Sequence, residues 1–212
     1  MADKFNISGA TWQIDPDNLV YGIKQSDNMI HTIGIDFGHF EIHEGDSFSA
    51  HYSLTTAATD GHRTGIYIKT ANSAKLIHLV VEFSASTAAH YTICEAPTIA
   101  ANTGTHGVAI FNRYRDSAIT STVQDNATSP ALNKITTLTE AEIAGDGTWA
   151  TGTILRTAPL SAGSGPKPAG GATRDAQEYI LKANTAYVFL ITNTVASAND
   201  HHILIDYYEH TF

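Results

Sequence analysis

Cysteine is all but missing from this chain. Cys94 stands alone among 212 residues, so no intrachain disulfide can form. A chain without disulfides suits a reducing cytoplasm, or a particle assembled there. Cys94 sits inside the apolar run His90–Cys94 and reads as a small buried hydrophobe, not a reactive thiol. Positive charge is scarce too. Lys and Arg number 12 against 21 Asp and Glu, a formal net charge of −9, and no basic run appears. A sequence-independent grip on nucleic acid is thereby disfavoured, and no direct nucleic-acid partner is expected. Long hydrophobic runs are also lacking. No stretch approaches the roughly 20 apolar residues of a membrane-spanning helix. The opening MADKFNISGATWQIDPDN has no basic segment leading into an apolar one. Neither a membrane partner nor a secretory leader is expected, and synthesis in the cytoplasm follows.

Catalytic signatures are absent as well. There is no G-x-S-x-G, and Ser164 has no basic partner identifiable from the sequence. The glycines at 163, 165, 170 and 171 fit neither phosphate-binding pattern and serve backbone freedom. Glu140 and Glu142 are two apart, a spacing at which helical side chains do not face each other. Eleven histidines raise the question of a metal. His39 and His43 read as part of a strand, because Ile42 and the glycines at 34, 38 and 45 argue against a helix. On a strand they would stand about 13 Å apart, too far for one ion with bonds of about 2 Å. His201 and His202 would point to opposite faces, while His202, Asp206 and His210 share a face at too wide a spacing. A cupin-like metalloenzyme would need a His-x-His that the stretch GHFEIHEG does not supply. The expectation is no catalytic residue, no metal and no cofactor.

What the chain does have is alternation with period two. Phe48, Ala50, Tyr52 and Leu54 share one face of Ser47–Leu54, and polar residues take the other. Leu76–Phe83 is apolar on both faces apart from His78 and Glu82, which marks a central strand. Tyr187–Thr192 and Ile203–Tyr208 alternate likewise. Shorter strands are expected at Ile30–Asp36, His39–His43, Thr64–Thr70, His90–Glu95, Val108–Asn112, Gly152–Thr157 and Glu178–Lys182. Helix is confined to Thr139–Ala144, where Thr139 and Glu142 make a capping-box pattern. Around ten strands without room for crossover helices predict an all-β fold, a jelly-roll-like antiparallel β-sandwich. Its expected limits are 38–212, preceded at 1–37 by an arm or extra strands. Ala96–Asn133 and the Gly- and Pro-rich Pro159–Ala176 break the rhythm and read as long loops.

Candidate contact residues follow from chemistry. Asn112, Arg113, Tyr114, Arg115 and Asp116 form the one concentrated charged and aromatic knot. Arginines beside a tyrosine suit an interface hot spot, and equally a loop corner held by local salt bridges. Trp12 and Tyr21 are candidate contacts in the N-terminal segment, Lys167 and Arg174 in the Gly-rich loop. Tyrosines such as Tyr67, Tyr91, Tyr114, Tyr207 and Tyr208 keep a sugar-stacking face open as an alternative.

Several segments together resemble structural proteins of tailed bacteriophages: GHFEIHEGDSF (Gly38–Phe48), the strand Leu76–Phe83 with the EAPT turn (Glu95–Thr98), FNRYRDS (Phe111–Ser117), EYILKANTAY (Glu178–Tyr187) and DYYEHT (Asp206–Thr211). The resemblance spans residues 38–212. It implies a virion component on the capsid surface, of the decoration or cement type, on a jelly roll or related sandwich. It carries no catalytic residues. By analogy it implies a homo-oligomer, a trimer, with the major capsid protein or other virion proteins as partners. The alternative is a carbohydrate-binding or host-adhesion module of a tail or baseplate.

Overall fold

The computed structural model describes residues 4–7, 10–14, 19–23, 30–34, 37–54, 60–97, 107–123, 134–138, 152–160 and 178–211. Four strands come first: β1 (Lys4–Ile7), β2 (Ala10–Ile14), β3 (Leu19–Ile23) and β4 (Ile30–Gly34). They pair in chain order into an antiparallel sheet of their own.

The helix α1 (Phe37–Glu44) follows, and it corrects the strand expected at His39–His43. Gly45 was read as a residue that argues against a helix, yet it is the residue that ends one. Its φ is +85°. Gly45 N–H donates to the Ile42 carbonyl (3.1 Å), and Asp46 N–H donates to the Glu41 carbonyl (3.1 Å). Those two bonds satisfy carbonyls that the last helical turn would otherwise leave open, in the Schellman pattern that favours glycine. On a helix His39 and His43 are one turn apart. α1 packs on the sheet through Glu41, which is 3% exposed and lies 3.2 Å from Nδ1 of His210. Burial pushes the Glu41 carboxyl up to about 7, with Asp46 and Glu44 adding to it. Burial also lowers His210. Desolvation therefore outweighs mutual attraction in this pair.

The remaining strands are β5 (Ser47–Leu54), β6 (Arg63–Lys69), β7 (Lys75–Ala85), β8 (Ala89–Glu95), β9 (Ile110–Asn112), β10 (Lys134–Leu138), β11 (Thr153–Leu160), β12 (Tyr179–Leu181), β13 (Ala186–Asn193) and β14 (His201–Thr211). They form two five-stranded antiparallel sheets, β12-β7-β14-β5-β9 and β10-β6-β13-β8-β11. The sheets pack face to face as an all-β sandwich, the fold class that the alternation predicts. Phe48, Leu79, Phe83, Ile205 and Tyr207 from one sheet meet Ile66, Ile68, Ile93, Tyr187 and Phe189 from the other in one buried cluster. Each such side chain contributes roughly 1.5–3 kcal/mol by leaving water. Cys94, Val188 and Leu190 form a second buried cluster with Tyr67 packed against it. Burial raises the Cys94 thiol above its usual range, so it is a packed hydrophobe.

The expected helical turn at 139–144 lies outside the described residues. So does the Gly-rich loop from 161 to 177. Pro159 and Leu160, assigned to that loop from sequence, belong to β11 instead. β11 is an edge strand, where a missing N–H donor is tolerated.

Candidate interaction surface

β9 lies at the edge of its sheet, with Ile110 opposite Ala50, Phe111 opposite Ser49 and Asn112 opposite Phe48. Ala50 and Phe48 face the core, so period two turns Phe111 outwards. The chain then makes a corner that its own polar groups fix. Asn112 Nδ2 donates to the carbonyls of Gly45 (2.6 Å) and Ile119 (3.0 Å), and its Oδ1 accepts from Tyr114 N–H (2.8 Å). Arg113 N–H donates to the Ser47 carbonyl and Ser117 N–H to the Tyr114 carbonyl. Ser117 also fills the space where a Cβ on Gly45 would sit. α1's terminal glycine and this loop thus require each other.

Further along, a buried carboxylate holds the segment down. Glu209 is 2% exposed on β14. Ser121 Oγ donates to its Oε1 at 2.5 Å, and Thr122 N–H donates to both oxygens at 2.9 and 3.0 Å. Tyr207 OH donates to Ser121 Oγ at 2.8 Å. Burial raises the Glu209 carboxyl, and the donors from Ser121 and Thr122 oppose that rise. Val123, 2% exposed, anchors the far end in the core.

On this pinned backbone sit three large apolar side chains in water: Phe111 (42% exposed), Tyr114 (44%) and Ile119 (43%). The Arg115 guanidinium lies 5.6 Å over the Phe111 ring, and His51 stacks on Phe111 at 6.4 Å. Arg113 is only 3.9 Å from Asp206, with both side chains about a third exposed, so that pair adds little. Asp116 is exposed. A cleft of about 540 Å³ opens beside the loop, lined by Phe48, Ala109, Ile110, Asn112, Ile119, Thr120, Ser121 and Val123.

The sequence-derived candidates divide accordingly. Asn112 is the structural clamp of the corner. Arg113, Tyr114, Arg115 and Asp116 cluster on its surface. Trp12 lies in β2 opposite Phe5 and Gly22, and Tyr21 in β3 opposite Gln13 and Thr32, within the separate N-terminal sheet. Lys167 and Arg174 lie outside the described residues. Phe111 and Ile119 were not singled out. Phe111 was legible, since alternation along Val108–Asn112 sets it opposite Ile110. Ser121 and Glu209 carried no local signal.

The remaining large exposed hydrophobics of the described residues are Ile154, Leu155 and Ile180. Ile154 and Leu155 lie at a bulge in the edge strand β11, and Ile180 in the edge strand β12. Among the described residues no three His, Cys, Asp or Glu side chains stand close enough to hold a metal ion. Comparison with protein-family models, with curated proteins and with solved structures finds no match to this chain.

Proposed function

We propose that the chain is a non-enzymatic structural protein of a tailed-bacteriophage virion, a decoration or cement protein that binds the assembled lattice of the major capsid protein. The observation that carries this reading is where exposed apolar side chains fall. Among the described residues, every large one lies on an edge strand or on the loop beside β9. An aromatic and arginine surface on a preorganised backbone is what an interface hot spot needs. Edge strands are also the natural places for another chain to attach.

Strand order supports a jelly roll. With β5, β6, β7, β8, β11, β12, β13 and β14 as first to eighth, one sheet runs first, eighth, third, sixth and the other second, seventh, fourth, fifth. That winding is common to viral capsid and lectin domains, a likeness of architecture only. A protein that binds the shell and not its separated subunits stabilises the shell by mass action, and a trimer on a symmetric lattice adds avidity.

The test uses particles stripped of the protein, sedimented with the purified chain. Wild type should bind to saturation at a fixed copy number and raise the temperature at which the particles open. Phe111→Ala and Tyr114→Ala should each weaken binding about tenfold or more while melting like wild type. No saturable binding, or equal binding by both variants, would overturn the reading. The cleft between β9 and Ile119 favours the glycan-binding alternative. Saturable binding on a glycan array, lost in Ile119→Ala, would replace the capsid reading with it.

A further inference from the structure

The outward face of the β12-β7-β14-β5-β9 sheet carries a pair of imidazoles whose ring nitrogens the surface above does not use. His51 on β5 faces outwards opposite Leu204, and His202 on β14 faces outwards opposite Ser53, so the two are diagonal cross-strand neighbours. Their ring centroids are 6.1 Å apart, with planes tilted by 38°. We infer that His51 and His202 form a two-histidine chelating site for a borderline divalent transition-metal ion, with water completing its coordination.

Geometry comes first. Two imidazoles bound to one ion through nitrogens at about 2 Å, at about 90–120° to each other, have centroids roughly 4.5–5.5 Å apart. A rotation of either ring about its side-chain torsions closes the difference of about 1 Å. Both side chains rise from paired strands, which hold their Cβ atoms at a fixed spacing. Phe111 stacks on the other side of His51 and limits its swing.

The second argument is the tautomer. His202 Nδ1 lies 2.7 Å from Ser53 Oγ. With the proton on Nδ1 donating to that hydroxyl, Nε2 keeps its lone pair for a metal. This is the arrangement in which an outer partner orients a ligating histidine. Burial, and then the nearby His51, lower the His202 pKa and so favour the neutral ring that a ligand must be. Glu82 on β7, opposite Leu204, places a carboxylate on the other side of His202. Its negative charge favours a cation there.

The ligand chemistry fixes the class of ion. Two imidazoles without a thiolate suit Cu(II), Ni(II) and Zn(II), with Cu(II) the tightest of the three. Two protein ligands leave coordination positions open, so the site would take a water-bearing ion and exchange it readily.

The test is titration of the full chain, freed of metal by chelator, with zinc, nickel and copper chlorides in separate calorimetric runs. One site per chain should dominate, with copper the tightest. His51→Ala and His202→Ala should each weaken it at least tenfold, and Ser53→Ala severalfold. His90→Ala, on the other sheet, should leave it unchanged. On unaltered protein, substoichiometric Cu(II) should broaden the imidazole signals of His51 and His202 before those of the other nine histidines. Equal broadening of all eleven, or full affinity in both alanine variants, would overturn the site.

Discussion

His201 and Glu41 are ionisable residues shut away from water, and they respond to acid in opposite senses. His201 is 1% exposed; its Nδ1 lies 3.0 Å from Thr64 Oγ1. Burial, aided by nearby His62, lowers it to about 4 from the ordinary 6.5. The unfolded chain therefore takes up this proton first. The contribution of His201 to stability is full above pH 6.5 and is lost as pH falls toward 4, by up to about 3 kcal/mol. Glu41 is raised to about 7 from 4.5, so between about pH 4.5 and 7 the folded chain holds the extra proton and stability falls as pH rises. Wild-type data alone would blend the two. Urea unfolding of wild type and His201→Asn between pH 4 and pH 7.5 separates them. Asn can keep the bond to Thr64 but cannot titrate. The variant should gain on wild type by about 2–3 kcal/mol as pH falls from 6.5 to 4. A gap independent of pH would refute the assignment. None of this was legible in the sequence. The partners of His201 and Glu209 are 137 and 88 residues away, so neither buried group has a local signature.

At the scale of elements, alternation carried far. Ser47–Leu54 is a strand with the limits read from its pattern, and Leu76–Phe83 is the central part of β7. Two of the differences come from a residue weighed out of its context. Gly45 counts against a helix at His39–His43 only if its place is ignored, because a glycine just past a helix is a stop signal. Pro159 was weighed as loop, although an edge strand accepts it. β10 escaped notice because KITTL is short and follows a polar stretch. Gly45 also supplies a prediction. Alanine there would need φ near +85° and would drive its Cβ into Ser117. Gly45→Ala should lower stability by about 2 kcal/mol or more. Hydrogen exchange should quicken at Tyr114, Ser117 and Ile119, whose amides are bonded within the corner. Unchanged exchange there would show that the helix end and the corner are independent.

For the whole sandwich, the side chains that join its two sheets set the stability. Phe189 is fully buried in the shared cluster, and its backbone lies between β6 and β8. Phe189→Ala should cost roughly 3–5 kcal/mol in chemical denaturation, without altering the exposed corner beside β9. A loss below about 1 kcal/mol would mean that the cluster does not couple the sheets.

β13 and β14 are the last strands in chain order, yet each sits in the middle of its sheet, between β6 and β8 and between β7 and β5. Ser47 waits for Tyr208, and Ala89 for Asn193. During synthesis the earlier strands therefore leave the ribosome as unzipped halves whose inner margins are open. The four central pairings, β6-β13, β13-β8, β7-β14 and β14-β5, are postponed until β13 and β14 emerge. Such a chain folds late and all at once, and until then it is exposed to the same strand-to-strand sticking that its finished edges are here proposed to use.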